Sequence, residues 1–588
     1  MDILPANRGV LQARWPKLLP LLAAAVPDAD AGPGEGPAPL PPAADGLMLA
    51  AGTGALGPAG RDWLSRAGAC THLAILAPEP ARLAGVLNRR DCAGILADPR
   101  VSLCVAGMGT DTFAFLGEVS FAEIERLEAA PAGGGPGYAQ FYRMLEEAFA
   151  GACSNFHTNI LESGKLQRNI FAQLERVFEP DAGQLAGAGG GAGCVIVGAG
   201  PSLDASMDFL RAVAPQALVL CGNSAFAALR AHGIEPDLAV AIDPNEHTRI
   251  GFGEGSPGRS CLVAPAYVHP AVPPLFAGRS FIWNSQHSLI PALRQAVGLP
   301  AATGIFERGT VTASMLDLAR LLGCGRMALV GMDMALGADG RLHAGGTFYD
   351  EQAGAGFLAE EQPLRAIPGN AGSPVQTTLR LLNYLRIIEE LFAKGGIPPA
   401  VNTATRGAAI NGAPYRDFSR ARAWLAEAPP LDRTAWQART QQALGTAPRV
   451  STGSLLAALE PVESFAAGLL KRAAHAMLDG GLLPRKLQAA SYARHREVAR
   501  VTAHAERING FIDTHPAAWQ ILFEGELKRC LVAYAQAARR IRMPAAHAQN
   551  IAQNGEYYAA LVEASAGFLD VLTGLRGRLE ATPAAAAS

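Results

Sequence analysis

The stretch Gly193-Cys194-Val195-Ile196-Val197-Gly198-Ala199-Gly200-Pro201-Ser202-Leu203-Asp204 decides the fold. Cys194–Val197 is a short apolar, β-branched run that stops at a glycine-rich turn. The pattern recurs twice within fifty residues. Leu218–Cys221 stops at Gly222-Asn223-Ser224, and Leu238–Ile242 stops at Asp243. Short apolar runs separated by helix-length segments imply parallel strands with crossover helices. Each polar patch then lies at the carboxyl end of a strand, the edge where open α/β sheets bind ligands.

Working outward, each patch carries its own chemistry. Gly198 and Gly200 let backbone amides come close to an anion, Pro201 fixes the chain, and Ser202 or Asp204 suits the start of a helix. Asn223 and Ser224 fit either a base or ribose contact or a helix cap. Asp243, in Asp-Pro-Asn-Glu, leaves a metal role and a turn role open, while Asp237 reads as a turn former. Polar groups follow the next two strand-like runs, at Tyr267, His269, Asn284 and His287. Thr310 and Thr312 precede a helix whose apolar face is Val311, Met315, Leu318 and Leu322, with Gly323 as its stop. Met327–Val330 then leads to Gly331-Met332-Asp333, and His343 follows ten residues later. A strand-tip carboxylate with a nearby histidine is suited to general-base work near neutral pH. Tyr349 and Asp350 are lesser candidates.

Upstream, Gly52-Thr53-Gly54-Ala55-Leu56-Gly57 fits G-x-G-x-x-G after a strand, with Glu79 22 residues beyond Gly57. Nucleotide or S-adenosylmethionine binding and a turn that keeps its glycines for steric reasons both fit. The polar stretch from His157 to Ile170 reads as a solvated helix face or as the rim of the central site. Downstream of residue 430 only helical patterns occur, implying an all-α bundle.

Composition narrows the class. With 588 residues, 49% hydrophobic and 17% charged, the chain should form several folded domains. A formal charge of −2 gives no bulk attraction to nucleic acid or membrane. The nine cysteines form no CxxC pair, which argues against a zinc site and fits a reducing compartment. No unbroken apolar run approaches the ~20 residues of a membrane span, and Leu18–Val26 lacks the shape of a secretory signal. A cytoplasmic protein is expected, and a homo-oligomer is compatible with the sequence. The reading is α/β overall: an N-terminal helix and linker (1–45), a Rossmann-like N-terminal domain (46–137), a helical connector (138–182), a central Rossmann-like α/β domain (183–425) and a C-terminal all-α bundle (426–588).

GAGPSLD (198–204), CGNSAFAALRAHGIEPDLAVAID (221–243), LARLLGCGRMALVGMDMAL (318–336) and VNTATRGAAINGAPY (401–415) together resemble the motility-associated factor (Maf) glycosyltransferase family of bacteria. That family shares its central domain with 6-hydroxymethylpterin diphosphokinase-like proteins and is similar to bacterial sialyltransferases that use CMP-sugars. The resemblance covers roughly residues 45–425. It implies transfer of a nonulosonic acid (pseudaminic, legionaminic or sialic type) from a CMP donor to Ser or Thr of flagellin. Gly198, Gly200, Pro201, Ser202, Asn223, Ser224, Asp243, Thr310 and Thr312 would then face the nucleotide sugar, and His343 and Asp333 the reacting centre. No metal or cofactor is required on that reading. The rival diphosphokinase reading needs Mg²⁺ on Asp243 and Asp333, and a third reading is a non-catalytic flagellin-binding assembly factor. Arg406 and Ala408 depart from the pattern, standing where an acidic residue and a second glycine are expected.

Overall fold

The structure is a computed structural model that describes residues 3–25, 40–68, 71–117, 124, 126–130, 135–254, 257–283, 289–307, 309–347, 364–447, 450–479, 495–540 and 546–581. The chain divides into two compact units, Met1–His157 and Thr158–Ser588.

The first unit holds a four-stranded parallel sheet of order β3-β2-β1-β4, with β1 at Leu47–Gly52, β2 at Thr71–Ala77, β3 at Val101–Val105 and β4 at Arg126–Ala129. β2 and β3 are buried throughout, which is why they read as unbroken apolar runs. The glycine fingerprint after β1 forms a tight turn, Thr53–Leu56, leading into helix Pro58–Arg66. The Tyr138 ring lies beside Gly52 and its hydroxyl donates to the Ala50 carbonyl at 2.8 Å, while Gly137 packs on Pro78. Gly57 lies against the mobile end of Arg90, and Gly60 lies so close to the Ala55 backbone carbonyl that it has no room for a side chain.

The second unit is built on a seven-stranded sheet of order β13-β10-β5-β6-β7-β8-β9, parallel at every pairing. Its strands are β5 (Gly193–Val197), β6 (Ala217–Gly222), β7 (Leu238–Val240), β8 (Cys261–Pro265), β9 (Ser280–Trp283), β10 (Arg326–Val330) and β13 (Ala400–Asn402). A short antiparallel hairpin, β11 (Arg365–Ile367) with β12 (Val375–Thr377), lies outside it. β5 shows how the sheet is held. Cys194 and Ile196 join Met315, Leu318 and Leu385 in one core layer, while Val195 and Val197 join Leu203, Leu210 and Leu229 in the other. Alternate residues of one apolar run thus serve opposite faces, each fully buried side chain contributing about 1.5–3 kcal/mol. Helix Val311–Leu321 runs as expected: Met315, Leu318 and Leu322 are buried, and Gly323, at φ 70°, turns the chain away.

From residue 418 on, the described residues contain helices and no strand. Their core joins Phe465, Tyr558 and Phe568 to Ile170, Phe171 and Leu174. Helix Arg433–Leu444 is pinned to the sheet by Arg433, whose guanidinium meets Asp237 and the Ala217 carbonyl at 2.6 Å. Asp237, expected to shape a turn, is therefore a buried ion-pair partner. Two described stretches, Thr452–Leu478 and Asn554–Glu580, are long and apolar enough to cross a membrane by length and composition alone. The expectation of no such segment rested on unbroken apolar runs, whereas these helices intersperse charges. Both place residues in the bundle core, among them Phe465, Leu469, Leu561 and Phe568.

Candidate active site

The chain order of the large sheet fixes where a site can form. From β5 the chain steps through β6, β7, β8 and β9 in one direction, and β10 and β13 lie on the other side of β5. The carboxyl ends of β5 and β10 therefore flank the topological switch point, the favoured crevice of an open α/β sheet. The turn after β5 and the turn after β10 meet there. Gly198 N–H donates to the Val330 carbonyl at 2.9 Å and Gly200 N–H to the Gly331 carbonyl at 2.8 Å. Ser202 donates to the Asp333 carboxylate twice, from its backbone N–H at 3.1 Å and from Oγ at 2.8 Å.

The glycines make this approach sterically feasible. A Cβ on Gly200 would overlap the Asp333 carboxylate and stand 2.7 Å from the Gly331 carbonyl. Gly200→Ala is expected to cost about 2 kcal/mol through overpacking, read as a lowered denaturant midpoint. It should also loosen Asp333.

Asp333 is 5% exposed, and burial pushes its pKa up to about 6, against the opposing pull of the Ser202 bonds. The next residue, Met334, sits at φ 49°, a left-handed conformation that costs a non-glycine residue roughly 1 kcal/mol or more. It is held there by Thr377, whose Oγ1 donates to the Met334 carbonyl at 2.7 Å. The Ala408 N–H donates to the Asp333 carbonyl at 2.7 Å, and Gly407 packs against the Asp333 backbone. The departure at Ala408 thus leaves the backbone contact intact, and Arg406 is exposed.

His343 reaches the same turn from the next loop. Ala344 N–H donates to the Ala199 carbonyl at 2.9 Å, and Gly345 N–H to Asp204 at 2.9 Å. Half-burial lowers the His343 pKa despite a backbone hydrogen bond at Ala199 that raises it. The imidazole is therefore neutral at pH 7, the form that accepts a proton. Asp333 and His343 share the Gly198–Asp204 turn as their common support.

Asn223 and Ser224 occupy the first two positions of helix Asn223–Ala231, whose cap is Gly222. Both are half-buried, and among the described residues neither side chain is engaged in a hydrogen bond. They stand at the end of β6, next to β5. Thr310 and Thr312 are buried and turned to the fold: Thr310 Oγ1 caps its own helix, and Thr312 Oγ1 lies 3.4 Å from the Met332 sulfur.

Asp243, beyond β7, is three strand intervals from β10, roughly 14 Å at about 4.8 Å per interval. It accepts from the Asn245 amide at 2.8 Å and lies 3.1 Å from His247 Nε2. Burial raises its pKa, but His247 and Asn245 outweigh that and hold it low; the Asp243 bond in turn raises that of His247. Lys165 donates to Asn245 at 2.6 Å and to Glu162 at 2.9 Å. Asp243 and Asp333 thus each have their own partners and do not converge on one cation. Among the described residues no group of three or more His, Cys, Asp or Glu is arranged to hold a metal ion.

The sequence reading missed Glu307, which accepts from Trp283 Nε1 and from the buried Tyr267 hydroxyl at 3.3 Å. No motif marks it; only the fold brings β8, β9 and the 307 loop together. His247 had a signal, since it follows Asp243 at a spacing of four residues. His269 is engaged locally, its Nδ1 accepting from the Ala271 N–H at 3.3 Å. Asn284, His287, Tyr349 and Asp350 lie outside the described residues.

The comparisons bear on this region. A Maf glycosyltransferase structure from Magnetospirillum magneticum AMB-1 aligns over 99% of this chain and 86% of its own, with 16% identity and a TM-score of 0.47. No curated protein matches the chain. Residues 168–339 match the family described as 6-hydroxymethylpterin diphosphokinase MptE-like. Within that family segment lie β5 to β10, so the Gly198–Ser202 turn and Asp333 both belong to the MptE-like match, and His343 follows its end.

Proposed function

We propose that this protein is an inverting glycosyltransferase that moves a nonulosonic acid from a CMP donor to a Ser or Thr hydroxyl of flagellin. The observation that carries the reading is that Asp333 and His343 are both anchored to the Gly198–Asp204 turn at the switch point, the one through Ser202 and the other through Ala199, in a chain whose motifs there resemble CMP-sugar transferases. His343 accepts the proton of the acceptor hydroxyl. The new C–O bond forms at the anomeric carbon as the bond to the CMP phosphate oxygen breaks, with inversion. Asn223 and Ser224, with the N–H groups of their helix start, take the polar groups of the nucleotide. Gly198, Gly200, Pro201 and Ser202 form the floor that carries Asp333. Asp243 borders the far end of the same edge, and Thr310 and Thr312 support it from beneath.

The C-terminal helical bundle holds the flagellin acceptor, and the reaction takes place in the cytoplasm. CMP carries a stable leaving phosphate, so no step requires a metal. The MptE-like match keeps a diphosphokinase as the rival, and one assay separates the two. Purified protein with flagellin and a CMP-nonulosonate is expected to release CMP in step with flagellin modification. Diphosphate transfer from ATP to a hydroxymethylpterin, with no CMP release, would overturn the reading.

A further inference from the structure

Helix Ser163–Ala172 is polar in sequence and reads as a solvated face or as the rim of the central site; Arg168 is exposed, but other polar side chains are buried. Ser163 is 1% exposed, Gln167 4%, Asn169 9% and Gln173, just past the helix end, 4%. The helix presents two stripes with four-residue spacing, in which Lys165 is half-buried and Phe171 is apolar. Residues 165, 169 and 173 form one; residues 163, 167 and 171 form the other. An offset of two residues is about 200° around a helix, so the stripes lie on opposite faces.

The first stripe holds the sheet's carboxyl edge. Lys165 donates to Asn245 at 2.6 Å. Asn169 Nδ2 donates to the carbonyls of Pro244 at 2.9 Å and Tyr267 at 3.0 Å. Gln173 Nε2 donates to the carbonyls of Ala266 at 2.9 Å and Val268 at 2.5 Å. These carbonyls belong to the loops after β7 and β8, which turn at the ends of their strands and have no ladder partners there.

The second stripe holds the C-terminal helices. Ser163 Oγ lies 2.7 Å from the Gly525 carbonyl and also 2.7 Å from the Ile160 carbonyl one turn back, so its one proton is shared between them, while Gln167 Nε2 donates to the Ile521 carbonyl at 3.0 Å. Phe171 packs edge-on against Phe568 with ring centroids 5.6 Å apart. The Gly525 carbonyl is available because the chain kinks there, at φ −93° and ψ −129°, within the wide turn Phe523–Leu527. The side-chain amide of Gln167 crowds Gly525 where any Cβ would lie.

We propose that helix Ser163–Ala172 is a positioning element through which the C-terminal helices set the loops after β7 and β8, with Asn169, Gln173, Gln167 and Ser163 as its positioning residues. No part of it touches the reacting atoms. The consequence for catalysis rests on the transferase reading, because only then do these loops border the donor. An acceptor seated on the C-terminal helices then acts on donor affinity through this helix.

Hydrogen exchange on the full chain tests the linkage without a ligand. The reporters are the amides of Asn245, Thr248, Val268 and His269, all hydrogen-bonded within the two loops. Asn169→Asp replaces a donor with an acceptor facing two carbonyls, and exchange at these amides is expected to rise at least about fivefold, while β5 and β6 keep wild-type rates. Ser163→Ala removes one hydroxyl on the opposite face and is expected to raise exchange at the same loops about two- to fivefold. It decides the matter alone if Asn169→Asp does not fold. Loops that stay at wild-type rates in Ser163→Ala, with change confined to residues 519–530, would overturn the proposal. A second readout is the affinity for CMP itself, expected to fall in both variants at unchanged pH dependence. A wild-type chain that does not bind CMP would sink the transferase reading and leave the exchange result to decide the linkage.

Discussion

Asp333→Asn is expected to raise the stability of the protein at pH 8, leave it near wild type at pH 4, and reduce transfer severely. The carboxyl is buried, and its pKa lies at about 6 instead of the ordinary 3.8. A raised folded-state value means that the folded protein holds the proton more tightly than the unfolded chain does. Stability from this group is therefore fully present below pH 3.8 and is lost as pH rises through 6. Above that, the ionised carboxylate costs about 3 kcal/mol. Asparagine has the same shape and keeps an oxygen for the Ser202 N–H and Oγ–H, so the variant escapes the cost without losing those bonds. Thermal melts of the two proteins at pH 4, 6 and 8 should diverge progressively. A stability held down at neutral pH by a buried charge is the pattern of a group retained for chemistry. A variant that melts lower than wild type at pH 8 would show that the carboxylate is structural.

The second large effect concerns His343. His343→Gln is expected to lower kcat about 10²- to 10⁴-fold with little change in KM for the donor, the range for loss of a general base. The wild-type imidazole has a lowered pKa because its loop is half-buried against the Gly198–Asp204 turn. It therefore stays neutral at pH 7 and gains its proton only below the ordinary 6.5. Wild-type kcat should fall on the acid side, and that dependence should flatten in the glutamine variant. A variant that changes donor KM and melting temperature while keeping the acid limb would place His343 in loop structure alone.

Much of this architecture was legible because the strands are buried on both faces. Gly193–Val197, Ala217–Gly222 and Arg326–Val330 are short apolar runs that only a covered parallel sheet accommodates, and each appears where the runs predict. The two turns that meet at the switch point were legible for a related reason: glycines and a lone carboxylate stand at strand ends, where polarity has no packing role.

Pairing was not legible. Ser202 read as a helix cap or phosphate donor, yet both its donors hold Asp333, 131 residues away in sequence. Asn169 read as part of a solvated helix face or of a site rim, because amphipathic periodicity registers side-chain type and is blind to which carbonyls the fold presents. Thr310, which the resemblance sets beside the nucleotide sugar, caps its own helix, a role the sequence reading did not foresee. The fingerprint at Gly52–Gly57 fits the dinucleotide pattern better than the turn at Gly198 does. Nothing in the motif foretold that Tyr138 would lie beside it, since that residue arrives from a helix more than eighty positions later.

Intact-mass analysis of flagellin from cells with and without this protein tests the central claim most directly. The account predicts that flagellin from cells lacking it is lighter by one or more nonulosonic acid residues, and that neither Asp333→Asn nor His343→Gln restores the mass as the wild-type chain does. Flagellin of identical mass in all four backgrounds would contradict it.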